Sequence, residues 1–571
     1  MTALVGVSDG GCAIIASEMI TRRKLIQTAS ALAAQAWLGR HTARAQAGST
    51  TPTTTTPAAS SISQNPAPSN PVIDSSVPLS ANFHCEDAAL QKAYDAAHAL
   101  LRGNLMQLPG LEKPVLIEGA VYKGVWMECA PQEGLVYEFF TPGGDKNNIA
   151  QNNHDIFFAL QRADGMMPCS VKPGGPGWAQ IQMVIPIAAT AWESYQRSRD
   201  AAFLQRAYTA CARYDSWLMQ YRNTRGTGLI EGFCTYDTGH DNSPRWAGLP
   251  RQCPNGNASN PPTAPGLPRL CPDLSASVYG GRLALAAMAK ELGKKKEESQ
   301  WKDQAEVIRG LIIKKLYDPE TNSFYDLDPD NKFVKIRGDA MVRVLGEHVV
   351  DAVLFEEIYA AQIHNPKAFW PAYPLPSIAL DDPAFVRPIP RNSWGGAAQA
   401  LMALRAPRWM EHYGKPADLT YMMQQWISAI TKAGGFYQQM DPLTGAFSVS
   451  DGSGYSPCAL VLLDYVWRSH GVRPAAEDRI EWNCNALGSS QNYSAELQMK
   501  EGVARLERVG ETSTLKLNGK TILQVTGECR VITDAIGNAK SLTGTRATVQ
   551  MIGLGGRKKK YSAQPNVLTP V

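Results

Sequence analysis

From about residue 86 to residue 470, apolar side chains recur at intervals of three and four, in paired segments separated by short turns. Leu90, Tyr94, Ala97 and Leu101 fall on one helical face, and Leu204, Tyr208, Cys211, Tyr214 and Leu218 fall on another. Two helices are expected from about Ser275 to Leu292 and from Trp301 to Leu316, joined around Gly293 and the lysines after it; the second carries Trp301, Ala305, Ile308, Ile312 and Leu316. Further helices are expected over 147–162, 180–198, 349–362, 394–405, 415–433 and 456–470, making roughly ten. Long segments at 106–146, 225–272, 364–393 and 436–455 interrupt them and hold much of the Gly, Pro and Trp. Compact domains rarely keep structureless loops of this length unless the loops serve a function. Helical hairpins with elaborated loops describe a solenoid or a closed α/α barrel. No sequence period of roughly 34 to 45 residues is present, which favours the closed barrel.

The texture changes after Pro474. Asn518-Gly519, flanked by alternating apolar residues from Leu515 to Val525, is a hairpin signal. A small β domain is expected over 474–571, its strands ending near 552 and its last fifteen or so residues forming a loose tail. The helical domain is expected over 83–473.

Residues 1–47 read as an export signal with an N-terminal extension. Thr21-Arg22-Arg23-Lys24-Leu25-Ile26 is a twin-arginine pattern, a short apolar run covers Ala29 to Leu38, and small residues follow at Ala43 to Ala47. The run is too short to span a bilayer; a surface amphipathic helix is the alternative. Residues 48–82 are rich in Thr, Pro, Ser and Ala and read as a disordered linker, because they bury too little apolar surface to offset chain entropy. Together these predict a periplasmic or secreted protein, with no membrane association once the signal is removed.

Charge excludes one class of partner. The net charge is +4 over 571 residues, and the basic runs Lys294–Lys296 and Arg557–Lys560 lack interleaved aromatics, so no nucleic-acid footprint is expected. The eleven cysteines contain no C-x-x-C and no zinc-ligand spacing. Neither a metal nor a cofactor is called for, and no Gly-rich phosphate loop or G-x-S-x-G elbow is present. Cys253 and Cys271 bracket a Pro-rich loop and are the first candidate disulfide; Cys484 with Cys529 is the second.

The most telling segment is Tyr236-Asp-Thr-Gly-His-Asp-Asn-Ser-Pro-Arg-Trp246, where Asp237 and Asp241 stand beside Gly, Pro and an aromatic ring. By composition this is either a surface turn or a loop lining a polar, sugar-sized cleft. Thr238 to Trp246 resembles the Ser-Gly-x-Asp-Asn-Ser-Pro segment of glycoside hydrolase family 63 and its mannosylglycerate-hydrolase-like relatives. More loosely, Trp126-Met-Glu128 looks like that family's early Trp-x-x-acid segment, and Tyr373–Ser377 with Asp381–Phe385 looks like its approach to a later inner helix. Asn392-Ser-Trp-Gly-Gly396 looks like its Trp-Arg-Gly-Pro turn. Asp441–Gly445 with Tyr455 to Asp464 looks like its closing segment. The resemblance covers roughly 84–470. It implies an (α/α)6 barrel, a six-hairpin toroid, that hydrolyses an α-linked glucoside or mannoside with inversion and takes a carbohydrate as its partner. Inversion pairs an acid on the leaving oxygen with a base on a water across the ring. The resemblance makes Asp241 the acid, with a pKa raised by burial or by the charge of Asp237. Trp126, Trp246 and Trp394 become sugar-stacking or core residues, and Asp237, His240, Arg245, Gln438 and Gln439 become candidate substrate contacts.

One expected carboxylate is missing. The family's base is a Glu three residues before the Asp-Pro-x-Thr-Gly turn, and this chain has Gln438 there. An amide orients water but cannot take its proton. Either the base has moved, with Glu128 and Asp451 as candidates, or the site binds sugar without cleaving it, or the substrate supplies the base. A carbohydrate lyase using Tyr236 and His240 is a further alternative.

Overall fold

A computed structural model describes residues 80–141, 148–475, 478–487, 492–499, 502–545, 548–553 and 558–571. The export signal and all but the last residues of the expected linker lie outside the described residues. Among the described residues there are twelve α-helices, and none is long and apolar enough to cross a membrane.

The 3.6-residue pattern translates directly into helices. Ala88–Gly103 buries Leu90, Tyr94, Ala97 and Leu101, and Ala201–Tyr221 buries Leu204, Tyr208, Cys211, Tyr214 and Leu218. Their entries are capped: Asp87 accepts from the backbone N–H of Ala89 and Leu90, and Asp200 from that of Ala202 and Phe203. The hairpin Pro272–Glu291 and Lys295–Leu316 turns at Gly293, where φ is +73°. Lys295–Leu316 starts earlier than the apolar face predicts, because its first turn is charged and exposed.

Two helices escape the sequence pattern. Ala130–Phe140 lies inside the expected loop 106–146, and Ala340–Gly346 has no counterpart among the expected segments. All seven residues of the second are buried, and the first buries seven of eleven around its circumference. A helix buried on every side shows no apolar stripe against a polar one, so the periodicity that reveals surface helices is absent.

These two complete a circuit. Ala130–Phe140 packs on Ile187–Ser198, which packs on Pro272–Glu291, then Ala340–Gly346, Ala400–Met410 and Ser456–His470, which returns to Ala130–Phe140. Ile149–Ala159, Ala201–Tyr221, Lys295–Leu316 and Pro416–Ala433 pack against members of that circuit. Glu128, Asp339, Gln399 and Tyr455 sit at or just before the N-termini of four circuit helices. Four circuit helices therefore carry a polar side chain at their N-terminal ends.

The C-terminal region is β. One sheet orders Ala81–Cys85, Tyr493–Met499, Gly502–Val509, Thr512–Leu517, Lys520–Thr526, Thr548–Gly553 and Lys558–Ser562; a second orders Val472–Ala475, Arg479–Cys484, Cys529–Asp534, Ala539–Gly544 and Leu568–Pro570. Asn518 and Gly519 both take positive φ, 48° and 78°, as a two-residue hairpin turn requires. Two expectations are corrected. Ala81–Cys85 begins in the expected linker yet forms an edge strand on Tyr493–Met499, so the chain's first described strand belongs to its last sheet. The expected tail contributes Lys558–Ser562 and Leu568–Pro570, because pairing with Thr548–Gly553 and Ala539–Gly544 satisfies its backbone.

The expected disulfides are not formed: Cys253, Cys271, Cys484 and Cys529 are free, buried thiols. Cys253 lies beside Arg222, which donates to its sulfur at 3.7 Å, whereas the Cys271 thiol faces the Arg269 carbonyl at 3.5 Å. Cys484 and Cys529 stand opposite each other in register.

Candidate active site

The 236–246 segment divides into a buried scaffold and one partly open carboxylate. Asp237 is fully buried. Its Oδ1 accepts from Ile181 N–H at 2.9 Å and its Oδ2 from Phe233 N–H at 2.8 Å, while both oxygens pair with Arg222 at 3.2 Å. Its acceptors are spent on the loop, so it is neither a substrate contact nor the charge that tunes Asp241. Arg245, also expected to meet substrate, is clamped between Asp273 (2.7 and 2.8 Å) and Asp326 (2.6 and 2.8 Å). His240 is 2% exposed and held by Thr238 at Nδ1 and Asp339 at Nε2; burial first, then the Arg343 charge, lower its pKa to about 4. A neutral, doubly bonded imidazole is an anchor and not a cleft group.

Two of the three tryptophans are corrected likewise. Trp246 is buried, donates to Thr238 Oγ1 at 2.9 Å and lies between the guanidinium groups of Arg245 and Arg269. Trp394 is buried against His240 and Arg343, and its backbone N–H holds the Asp241 carbonyl at 3.0 Å. Neither face is open to a sugar. Trp126 is partly exposed on a short strand, edge-on to Tyr122 with centroids 5.7 Å apart.

Asp241 keeps part of its surface open, and its Oδ2 accepts from Asn392 Nδ2 at 2.7 Å. Burial raises its pKa to about 6, against the lowering effects of the Asn392 bond and the Arg251 charge. Asn392 in turn accepts from Gln438 Nε2 at 2.9 Å, and Gln438 Oε1 accepts from Tyr122 at 3.0 Å. Asp241 and Gln438 are thus joined through one amide. Gln439, expected to touch substrate, is fully buried among Ser393, Gln399, Pro390 and Ser448 and braces the loop instead.

Glu128 faces the Asp241 loop at Gly239. A Cβ at Gly239 would stand 1.9 Å from Glu128 Oε2, and Gly239 itself has φ of +65°. The glycine in the motif is needed twice: for the left-handed turn and for the approach of a carboxylate. Glu128 Oε1 accepts from Gln182 at 3.0 Å, while Oε2 has no protein partner. Burial raises its pKa to about 7; Arg405 opposes this and the Asp241 charge adds to it. Asp451, the other candidate base, ends the short turn Val449–Asp451, and its side chain lies outside the described residues.

Sequence reasoning missed Glu118 and Glu133. Glu118 accepts from Tyr455 Oη at 2.7 Å, and its pKa is raised well above the carboxylate range by burial and by Glu133 and Glu128. Glu133, on Ala130–Phe140, is fully buried with both oxygens unpartnered, and burial raises its pKa to about 7. Both lie in the expected loop 106–146, where nothing in the sequence marks them. Two tight donor groups, Cys234/Asp237/Cys253 and Cys271/Asp273/Asp326, have metal-like proximity. In each, a buried arginine already pairs with the carboxylates, Arg222 in the first and Arg245 in the second.

The model of the mannosylglycerate hydrolase MGH1-like glycoside hydrolase domain matches residues 144–456. No curated protein matches the chain. Among solved structures, one titled "Sialidase" aligns with a TM-score of 0.59 at 15% identity over 80% of this chain; the chain spans 41% of its length. The GH63 mannosylglycerate hydrolase from Thermus thermophilus, in complex with Tris, aligns with a TM-score of 0.53 at 18% identity, over 66% of this chain and all of its own. Its glucose complex gives 0.51 at 17% identity, over 66% of this chain and 99% of its own. At these identities the structures speak for the fold alone.

Proposed function

The chain belongs to the mannosylglycerate hydrolase MGH1-like glycoside hydrolase family, and on that premise we propose an exported, inverting glycosidase in which Asp241 is the general acid and Glu128 the general base. The six-helix circuit is read as the inner ring of an (α/α)6 barrel, with the site at the N-terminal ends of its helices. The β region is read as an appended domain.

The observation that carries the proposal is the approach of Glu128 to the Asp241 loop at Gly239: a buried carboxyl beside a partly open one, with the Asp241 charge acting on Glu128 and pKa values raised to about 6 for Asp241 and about 7 for Glu128. With these values, one of the two carboxyls is protonated over much of the range between about pH 6 and 7. Asp241, partly open, protonates the glycosidic oxygen as the bond to the anomeric carbon breaks. Glu128, its Oε2 unpartnered, takes a proton from the water that attacks that carbon from the opposite face. Burial favours the proton on Glu128 over Asp241. Moving it to Asp241 costs about 1.4 kcal/mol per unit of pKa difference, small beside the binding energy of a sugar. Gln438 cannot serve as base, and its place in the Tyr122–Gln438–Asn392 chain makes it a support for Asp241. Trp126 and Tyr122 offer the aromatic surface for a ring. Export rests on the twin-arginine segment alone.

Leaving-group dependence tests the assignment. An acid is dispensable when the leaving group is already a weak base, but a base never is. Asp241→Asn should retain turnover of a glycosyl fluoride while losing alkyl glycosides; Glu128→Gln should lose both. The reverse pattern would exchange the roles, and sugar binding without product in the native protein would favour a non-catalytic site.

A further inference from the structure

Cys234 and Cys253 bracket the Asp241 loop in the sequence, and the fold brings their sulfurs together. Both Sγ atoms and a carboxylate oxygen of Asp237 lie within 4.8 Å of one another. Two backbone bonds run beside them, from Thr235 N–H to the Pro250 carbonyl at 3.0 Å and from Tyr236 N–H to the Arg251 carbonyl at 3.2 Å. The two chain segments are thus held side by side, the arrangement a disulfide needs.

A metal does not account for this group. Asp237 spends both oxygens on Arg222 and on backbone N–H groups, and Arg222 also donates to Cys253 Sγ at 3.7 Å. A buried guanidinium amid the donors repels a second cation and favours a thiolate. The Cys234 thiol donates to the Cys253 sulfur, and this bond, helped by the Arg222 charge, lowers the Cys253 pKa against burial and the Asp237 charge. Burial first, then that bond, raises the Cys234 pKa well above the thiol range. One sulfur is thereby set up as a nucleophile and the other as its resolving partner.

The nucleophile also lies just beneath the surface. Cys253 is buried, whereas Arg251, Gln252, Pro254, Asn255 and Gly256 around it are exposed. A local opening of this strip uncovers its sulfur without unfolding the helical circuit.

We propose that Cys234 and Cys253 are a reversible redox pair, closed to a disulfide by exchange with an external disulfide. The Cys253 thiolate attacks one sulfur of that disulfide, forming a mixed disulfide and releasing one thiolate. Cys234 gives up its proton, attacks the Cys253 sulfur and releases the second thiolate. Two S–H groups are oxidised, and the external disulfide is reduced to two thiols. The closed form ties the Arg251–Cys253 strip to the segment that carries Asp237 and Asp241, and so restrains that loop. This pairing stands independently of the roles of Asp241 and Glu128.

Oxidised glutathione is the probe. The full chain is incubated with it and denatured in excess iodoacetamide without reductant. The tryptic peptides of Cys234 and Cys253 should then be recovered joined, lighter by two hydrogen atoms than the separate pair. Dithiothreitol before alkylation should release them as two alkylated peptides. Reduction should lower the melting temperature of the oxidised protein by about 5 °C. Cys253→Ser should lose both the joined peptide and that fall; if it does not fold, the native peptide map decides alone. Full alkylation of both cysteines after oxidised glutathione would overturn the proposal. A lasting glutathione adduct on Cys253, or Cys253 joined to a different cysteine, would overturn it as well.

Discussion

Glu128 and Gly239 are in contact through the space a side chain would occupy: a Cβ on Gly239 would lie 1.9 Å from Glu128 Oε2. The carboxylate can approach the Asp241 loop only because position 239 has no side chain.

Gly239→Ala should therefore cost twice. A left-handed residue with a Cβ is strained by about 1 to 2 kcal/mol, and the methyl displaces Glu128. We expect soluble, folded protein with a lowered melting temperature and a loss of kcat of about 100-fold or more, the range of a general acid–base group. Near-native kcat would show that Glu128 need not face this loop for catalysis.

Asn392 stabilises the ionised form of Asp241, so removing its donor should raise the Asp241 pKa above about 6. Because the Asp241 pKa is the lower of the two, at about 6 against about 7 for Glu128, the acidic limb of the kcat/KM profile should move to higher pH in Asn392→Ala, by up to about one unit if the bond is worth about 1.4 kcal/mol. An unmoved limb would separate Asp241 from that limb.

Gln438 occupies the position at which the family resemblance expects the base. If Glu128 has taken over that role, Gln438→Glu in the native background should not raise kcat, and it should not restore a Glu128→Gln variant. Recovery of turnover in the double variant would place the base back at position 438.

Glu133 gives a test on stability alone. Its folded pKa, about 7, is above the unfolded carboxylate value of about 4.5, so the unfolded chain releases its proton first. Stability from the buried acid is complete below about pH 4.5 and declines as pH rises toward 7. Glu133→Gln should remove that decline, gaining about 3 kcal/mol over the native protein at pH 8 relative to pH 4. Chemical denaturation at the two pH values reads the difference directly, and parallel native and variant curves would contradict it.

Amphipathic periodicity located most of the surface-exposed helices, because their two environments are written as alternating residue types. Asn518-Gly519 placed a hairpin for the same local reason: two consecutive positive φ angles suit few other residue pairs. Asp241 was legible through a short contiguous motif. Its neighbours Asp237, His240, Arg245 and Trp246 were legible only as part of that motif, and their residue types did not separate scaffold from site. Whether a carboxylate is spent on a buried arginine or left facing an opening depends on residues elsewhere in the chain: Arg222 for Asp237, Asn392 for Asp241. Ala130–Phe140 and Ala340–Gly346 were invisible because burial on every side erases the pattern. The pairing of Glu128 with Asp241 likewise joins distant parts of the chain and has no local signature. Local sequence determined the amphipathic helices, the hairpin and the Asp241 motif, since those depend on neighbours in the chain. Tertiary structure alone decided which carboxylates are buried and raised in pKa, since desolvation and nearby charge depend on what folds against them.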